Sequence, residues 1–318
     1  MKEKIAVGID IGGTNTVFGF VTETGEVLHE GKIKSKGHKN VNDFVILLTT
    51  TIKKILNFEL NHFDLAGIGM GAPNGNYYSG SVEYAPNLEW KGIIPFVQLI
   101  KDHFDVPVIL TNDANAGALG EKLYGGAKNM NDFIFITLGT GLGSGIVSGG
   151  KLIYGHDGFA GEIGHTFAVH NGRACGCGRK GCLETYASAT GIVNTVKELL
   201  NNCETDSSLR GVENGKLNSY LIYQEAKKGD KLAIEAFDFT AKILGRTLAD
   251  SVAYTSPQAI FLFGGLANAE DLLLKPVKHY LEEYILNIYK DKVEILSSQL
   301  KNGQAAVLGA AALIWNEV

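Results

Sequence analysis

Proline is scarce in this chain of 318 residues, which holds 6, alongside 4 cysteines, 3 methionines and 2 tryptophans. So little proline excludes a collagen-like or polyproline polymer, and 45% hydrophobic residues exclude a flexible polar linker. Runs of like charge are missing too. The 34 acidic and 29 basic residues leave a net charge of −5, which argues against a nucleic-acid partner bound through a basic face. The start, MKEKIAVGIDIGGTN, has no apolar leader, and the most apolar later stretch, Phe133 to Val147, is broken by glycines. The expectation is a cytoplasmic protein with no membrane segment.

Glycine is what the chain has in excess: 40 residues, about one in eight, against an average nearer ~7%. In a folded protein glycine marks places where the backbone turns tightly or approaches something closely. The hydrophobic pattern around these glycines predicts strands at 5–10, 17–21, up to 33, 65–70 and 106–110. Helices are expected over 41–56, capped by Asn40 or Asn42, and over 93–103. The pattern then restarts with strands at 133–138, 142–147 and 152–154. Helices follow at 192–200, 219–228 and 231–254, then a strand at 259–263, a helix over 271–288, a strand at 293–295 and a last helix over 303–315. Ile9-Asp-Ile-Gly-Gly-Thr14 and Ile136-Thr-Leu-Gly-Thr-Gly141 have one form, a strand, a glycine turn and a returning strand. Two copies of one hairpin predict a duplicated α/β fold with a cleft between its halves. Residues 204–218 read as a polar loop.

Several glycine patterns imitate nucleotide motifs. Gly145-Ile-Val-Ser-Gly-Gly150-Lys151 is followed by Leu152, not Ser or Thr, so it is no P-loop. Gly67-Ile-Gly-Met-Gly-Ala72 opens no clear helix, and Gly176-Cys-Gly-Arg-Lys-Gly181 lies among cysteines. The two hairpins are the better phosphate clamp: backbone N–H groups of Gly12, Gly13, Gly139 and Gly141, with donors from Thr14, Asn15 and Thr140. Asp10 would repel a phosphate and is suited to Mg²⁺. The alternative is a pair of tight turns that bind nothing.

Asn112-Asp113 ends a predicted strand, where α/β folds hold their ligands. Asp113 there is either a helix cap or a general base, and Asn112 beside it suits a hydroxyl. Cys175, Cys177 and Cys182 give C-x-C-x4-C, and His165 is a better fourth ligand than His170. This predicts a closed, structural Zn²⁺. Glu162 and Glu184 flank the loop, as sugar-binding carboxylates or as solvated surface charges.

Together these motifs resemble the ROK family (repressor, open reading frame, kinase) of the actin-like ATPase superfamily, whose fold is ribonuclease H-like. The matching residues are Asp10–Asn15, Asn112–Asn115, Leu138–Gly143, Gly158–His165, Cys175–Glu184 and Phe263–Gly265. The resemblance implies a smaller domain, 1–112 plus 303–318, a larger one, 113–302, with the zinc loop, and an active site in the cleft. It implies an ATP-dependent kinase acting on the C6 hydroxyl of a hexose, glucose first, as in the generic bacterial glucokinase branch. N-acetylmannosamine or fructose would be alternative acceptors and polyphosphate an alternative donor. Asp113 would be the base. Asn112, Asp113, Glu162, His165 and Glu184 would bind sugar, with Asn74, Gly75 and Asn87 in nearby loops. Asp10, Gly12–Asn15 and Gly139–Gly141 would hold ATP and Mg²⁺, and Gly264 and Gly265 would lie near adenosine. His165 would serve metal and sugar with different ring nitrogens. A dimer or tetramer is implied as well. Repressors of the family carry a helix-turn-helix segment ahead of the first glycine motif; here that motif starts at residue 10, which favours a kinase over a repressor. A non-catalytic sugar sensor is the reading from another class.

Overall fold

The computed structural model describes residues 2–213, 215–300 and 303–317. Residues 1, 302 and 318, which bound the expected domains, and residue 214 of the expected 204–218 loop lie outside them. The chain divides into two compact units, Met1–Met130 with Leu152–Gly161 and Gln299–Val318, and Asn131–Lys151 with Glu162–Ser298.

In the first unit, β1 (Lys4–Ile11), β2 (Asn15–Thr22) and β3 (Val27–Lys34) form an antiparallel meander. Helix α1 (Val41–Phe58) is capped by Asn40, whose side chain accepts from the Asn42 N–H at 2.9 Å; it buries Phe44, Val45, Leu48, Ile52 and Ile55. Strand β4 (Asp64–Gly71) adds parallel to β1. A small sheet of β5 (Gly75–Asn76), β6 (Ser81–Glu83) and β7 (Ile93–Ile94) follows. The helix expected over 93–103 is shorter, because Pro95 bars helical backbone before it. Ile93 and Ile94 pair as strand, and α2 runs only over Phe96–Lys101. Strand β8 (Val108–Thr111) and helix α3 (Asp113–Tyr124) complete this stretch, giving the sheet order β3-β2-β1-β4-β8.

The second unit repeats the order. Its strands are β9 (Phe133–Leu138), β10 (Leu142–Ser148) and β11 (Lys151–Leu152), then β12 (Ala259–Phe263) and β13 (Glu294–Ser297), arranged β11-β10-β9-β12-β13. As in the first sheet, the opening hairpin is antiparallel and the next two strands are parallel. The fold is therefore a duplicated α/β unit. Helices α4 (Ala189–Asn202), α5 (Ser219–Lys227) and α6 (Lys231–Thr255) separate β11 from β12. The helix expected over 271–288 is α7 (Leu274–Tyr284) with a 3₁₀ segment on each side; Glu270, at φ 37°, kinks the first of them, which spans Ala267–Leu272.

The last helix, α8 (Ala305–Trp315), belongs to the first unit and is buried almost all round. It packs on β1, β4 and α3. Glycine permits the approach: a Cβ on Gly8 would collide with the Val307 carbonyl, and one on Gly69 with the Ala310 carbonyl. Some of the glycine excess thus serves packing, including Gly67 and Gly69 of the pattern that imitated a dinucleotide motif. Among the described residues no helix is long and apolar enough to cross a membrane.

Candidate active site

Asp10 is the next-to-last residue of β1, paired with Val17 on one side and Gly71 on the other. Burial and then the Asp113 charge push its carboxyl up to about 6. Gly71 lies beside both: a Cβ there would sit 3.6 Å from the Asp113 Cα and 3.9 Å from Asp10 Oδ1. The hairpin after Asp10 is closed by the Gly12 N–H donating to the Asn15 carbonyl at 3.1 Å. Gly13 presses on the Asn87 backbone, where a Cβ would collide with the Asn87 carbonyl, and Gly75 presses likewise on the Thr111 carbonyl. Asn74 takes a left-handed backbone, φ 52°, and donates to the Glu83 carbonyl at 2.9 Å. Six of the expected residues, Asp10, Gly13, Asn74, Gly75, Asn87 and Asp113, thus sit at the C-terminal end of the parallel strands of one sheet and in the loops there.

The cap of α3 is Asn112, not Asp113. The Asn112 Oδ1 accepts from the Asn115 N–H at 2.6 Å. Among the described residues, Asp113, the first helical residue, accepts only the adjacent Ala114 N–H, at 2.9 Å, besides its own. It keeps an exposed surface, yet protein crowds it from most directions. The thinned hydration raises its pKa, outweighing the two N–H groups that lower it.

The second unit carries the other hairpin. The Gly139 N–H donates to the Gly141 carbonyl at 3.1 Å, and the Ala189 N–H to the Gly139 carbonyl at 2.8 Å. Thr137 takes the register position that Asp10 has in the first sheet, and its hydroxyl accepts from the Gly143 N–H at 3.0 Å. Gly264, at φ 104°, follows β12 and lies against Leu138, so the two glycine turns of this unit adjoin. A Cβ on Gly139 or Gly265 would meet nothing within 4 Å. Packing gives no reason for glycine at either place.

Glu184 is half-buried, not a solvated charge. Its Oε2 accepts the Leu142 N–H at 3.1 Å and lies against Gly141, while Oε1 accepts from the Cys175 thiol at 3.7 Å. Glu162, which is exposed, precedes a 3₁₀ turn over Ile163–His165. His165, Cys175, Cys177 and Cys182 bring one ligand atom each within 4.8 Å of one another, and His170 is not among them. The Cys175 Sγ is 3.6 Å from His165 Nδ1, and Cys177 and Cys182 are 3.6 Å apart. Hydrogen bonds from the Arg179 backbone and side chain lower the exposed Cys177 thiol, and burial raises Cys175 and Cys182. Three thiols and an imidazole form a soft, four-membered donor set of the kind zinc takes, and a divalent cation would remove the penalty of ionising neighbouring thiols.

A model of the ROK family matches residues 6–317. The chain belongs to the ROK family. It is similar to the glucokinase of Halalkalibacterium halodurans, 35% identical over 99% of this chain and 96% of the relative. It is also similar to the xylose repressor of Caldicellulosiruptor bescii, 31% identical over 98% of this chain and 78% of the repressor. The structure of a ROK glucokinase from Streptomyces griseus in complex with glucose and AMPPNP superposes with a TM-score of 0.79, 32% identical, covering 97% of this chain and 98% of the other. The duplicated α/β architecture is thus that of ROK sugar kinases, the actin-like ATPase fold.

Two features escaped the sequence reading. Tyr77 and Tyr154 stack at 4.0 Å, Tyr78 donates to the Gly155 carbonyl at 3.0 Å, and Asn76 donates to the Asp157 carbonyl at 2.7 Å. They hold the segment that leads into Glu162, and aromatics so far apart in sequence give no sign of stacking. The second feature is Arg173, which no spacing rule singles out.

Proposed function

We propose that this ROK chain transfers the γ-phosphoryl group of ATP to the C6 hydroxyl of a hexose, glucose first. The observation that carries the reading is Asp113: Asn112 performs the capping, which leaves the Asp113 carboxylate for chemistry, and its raised pKa makes it a stronger base than an ordinary carboxylate. Asp113 accepts the hydroxyl proton as the sugar oxygen bonds to the γ-phosphorus and the bond to the ADP oxygen breaks. Asn112 orients that hydroxyl with its amide, and Glu162, His165 and Glu184 bind the remaining hydroxyls, with Asn74, Gly75 and Asn87 as further contacts from nearby loops.

Backbone N–H groups of Gly12–Asn15 and Gly139–Gly141 cradle the phosphates, and Gly264–Gly265 leave room for adenosine. Open space at Gly139 and Gly265 supports this, because a glycine unused by the fold is free for a ligand. Asp10 would hold Mg²⁺, which supplies charge neutralisation to the donor phosphates. The four-residue cluster would hold zinc as a structural cross-link: Zn–S bonds of about 2.3 Å give a tetrahedron edge near ~3.8 Å, close to the 3.6 Å separations at the cluster.

The test couples ADP release to a panel of hexoses. Glucose should give the highest kcat/KM, and Asp113→Ala should cut kcat by about 10²–10⁴ while the melting curve is kept. Substantial residual activity would remove Asp113 as the base. The likeness to xylose repressors supports a second reading, a sugar sensor, and hexose binding with no ADP release would favour it.

A further inference from the structure

We infer that Arg173 is a positioning residue that closes the cysteine loop from outside and so places Glu184, independently of any metal. Its guanidinium spends all five N–H donors on fixed acceptors. Nε and Nη2 grip the two Glu198 oxygens at 2.7 and 2.6 Å. Nη2 also reaches the Thr195 hydroxyl at 2.9 Å, and Nη1 reaches the Thr185 and Gly191 carbonyls at 2.7 and 3.1 Å. Its charge lies 4.4 Å from the centre of the Tyr186 ring. The Tyr186 hydroxyl in turn accepts the Arg173 backbone N–H at 2.8 Å.

These contacts join the entry of the loop, Arg173, to its exit, Thr185 and Tyr186, and bind both to α4. Glu184 is the residue before Thr185, so its backbone is held on one side by this clasp. On the other side its carboxylate accepts the Leu142 N–H. The Glu198 pair is half in water and contributes little. The weight lies on the carbonyls and on Thr195, whose own proton is spent on the Gly191 carbonyl at 3.1 Å. Lysine cannot replace this fork, since its donors radiate from a single nitrogen. The cysteines close the loop a second time, but none of the Arg173 contacts passes through them.

The inference about sugar rests on the kinase reading; the inference about the loop does not. Three variants of the full chain, Arg173→Lys, Arg173→Ala and Thr195→Val, are compared with the parent for zinc content, amide hydrogen exchange and hexose kinetics. Zinc per chain should match the parent. Exchange at Thr185, Tyr186 and Ala187 should quicken about tenfold or more. The glucose KM should rise about tenfold with a smaller change in kcat, as expected when a sugar contact is loosened. Guanidinium ion added at low concentration should restore part of the KM in Arg173→Ala. Unchanged exchange with zinc in place would overturn the clasp, as would sugar affinity lost only in proportion to zinc. Should Arg173→Ala not fold, Arg173→Lys and the milder Thr195→Val decide by the same measures. A parent chain that phosphorylates no hexose would sink the kinase reading, and hydrogen exchange would still decide the clasp.

Discussion

Two neighbouring carboxylates, both with raised pKa, stand out at the scale of single residues. Asp10 and Asp113 each lose hydration, and the Asp113 charge raises Asp10 further. Holding both charged at neutral pH costs folding free energy, a cost the proposed phosphoryl transfer would explain, since it uses both anions. The folded-state pKa of Asp10, about 6, lies above its ordinary 3.8. The folded chain therefore binds more protons between these values, and stability falls as pH rises through the window. Asp10→Asn should accordingly stabilise the ligand-free protein by about 2 kcal/mol at pH 8, a figure reduced for the residual hydration of the site. The gain should vanish below pH 4, and turnover should be lost at every pH. Denaturant titrations at pH 8 and pH 4 check it; equal stabilisation at both values would mean that charge is not the cause.

Glycine separates two uses at the scale of elements. Gly69 on β4 makes room for α8, and a Cβ there would meet backbone, which cannot step aside. Gly139 in the turn after β9 faces open space. Gly69→Ala should cost about 3 kcal/mol by overpacking. Gly139→Ala should change stability by no more than ~0.5 kcal/mol yet raise the ATP KM severalfold. Urea unfolding with nucleotide kinetics separates the two, and a stable Gly69→Ala would show that α8 can shift.

The hairpins were legible because period-two strands flank a glycine turn in both copies. The cysteine loop was legible because ligand spacing is local. The sheet of β5, β6 and β7 was not, since strands of two or three residues leave no period to count. Nor was the clasp, because Arg173 acquires its meaning from residues 12 to 25 positions further on, on another element. Composition pointed to glycine, and only packing could divide the glycines between protein and ligand.

For the whole molecule, the chain order makes the first unit depend on a helix far downstream in sequence. Its sheet is complete by Thr111, but the face of β1 and β4 is covered by α8, some two hundred residues later. That helix buries Val307, Leu308, Leu313 and Ile314. At roughly 1.5–3 kcal/mol each, they contribute about 6–12 kcal/mol, as much as the net stability of a typical domain. Ending the chain at Ser298 should therefore unfold the first unit. Slow-exchanging amides should disappear from β1, β4 and α3 but persist in β9, β12 and α6, whose core is built from residues of the second unit alone. Persistent protection in β1 and β4 would show that the meander stands without its helix. Loss of protection in β9 and β12 as well would show that the two units fold as one cooperative body.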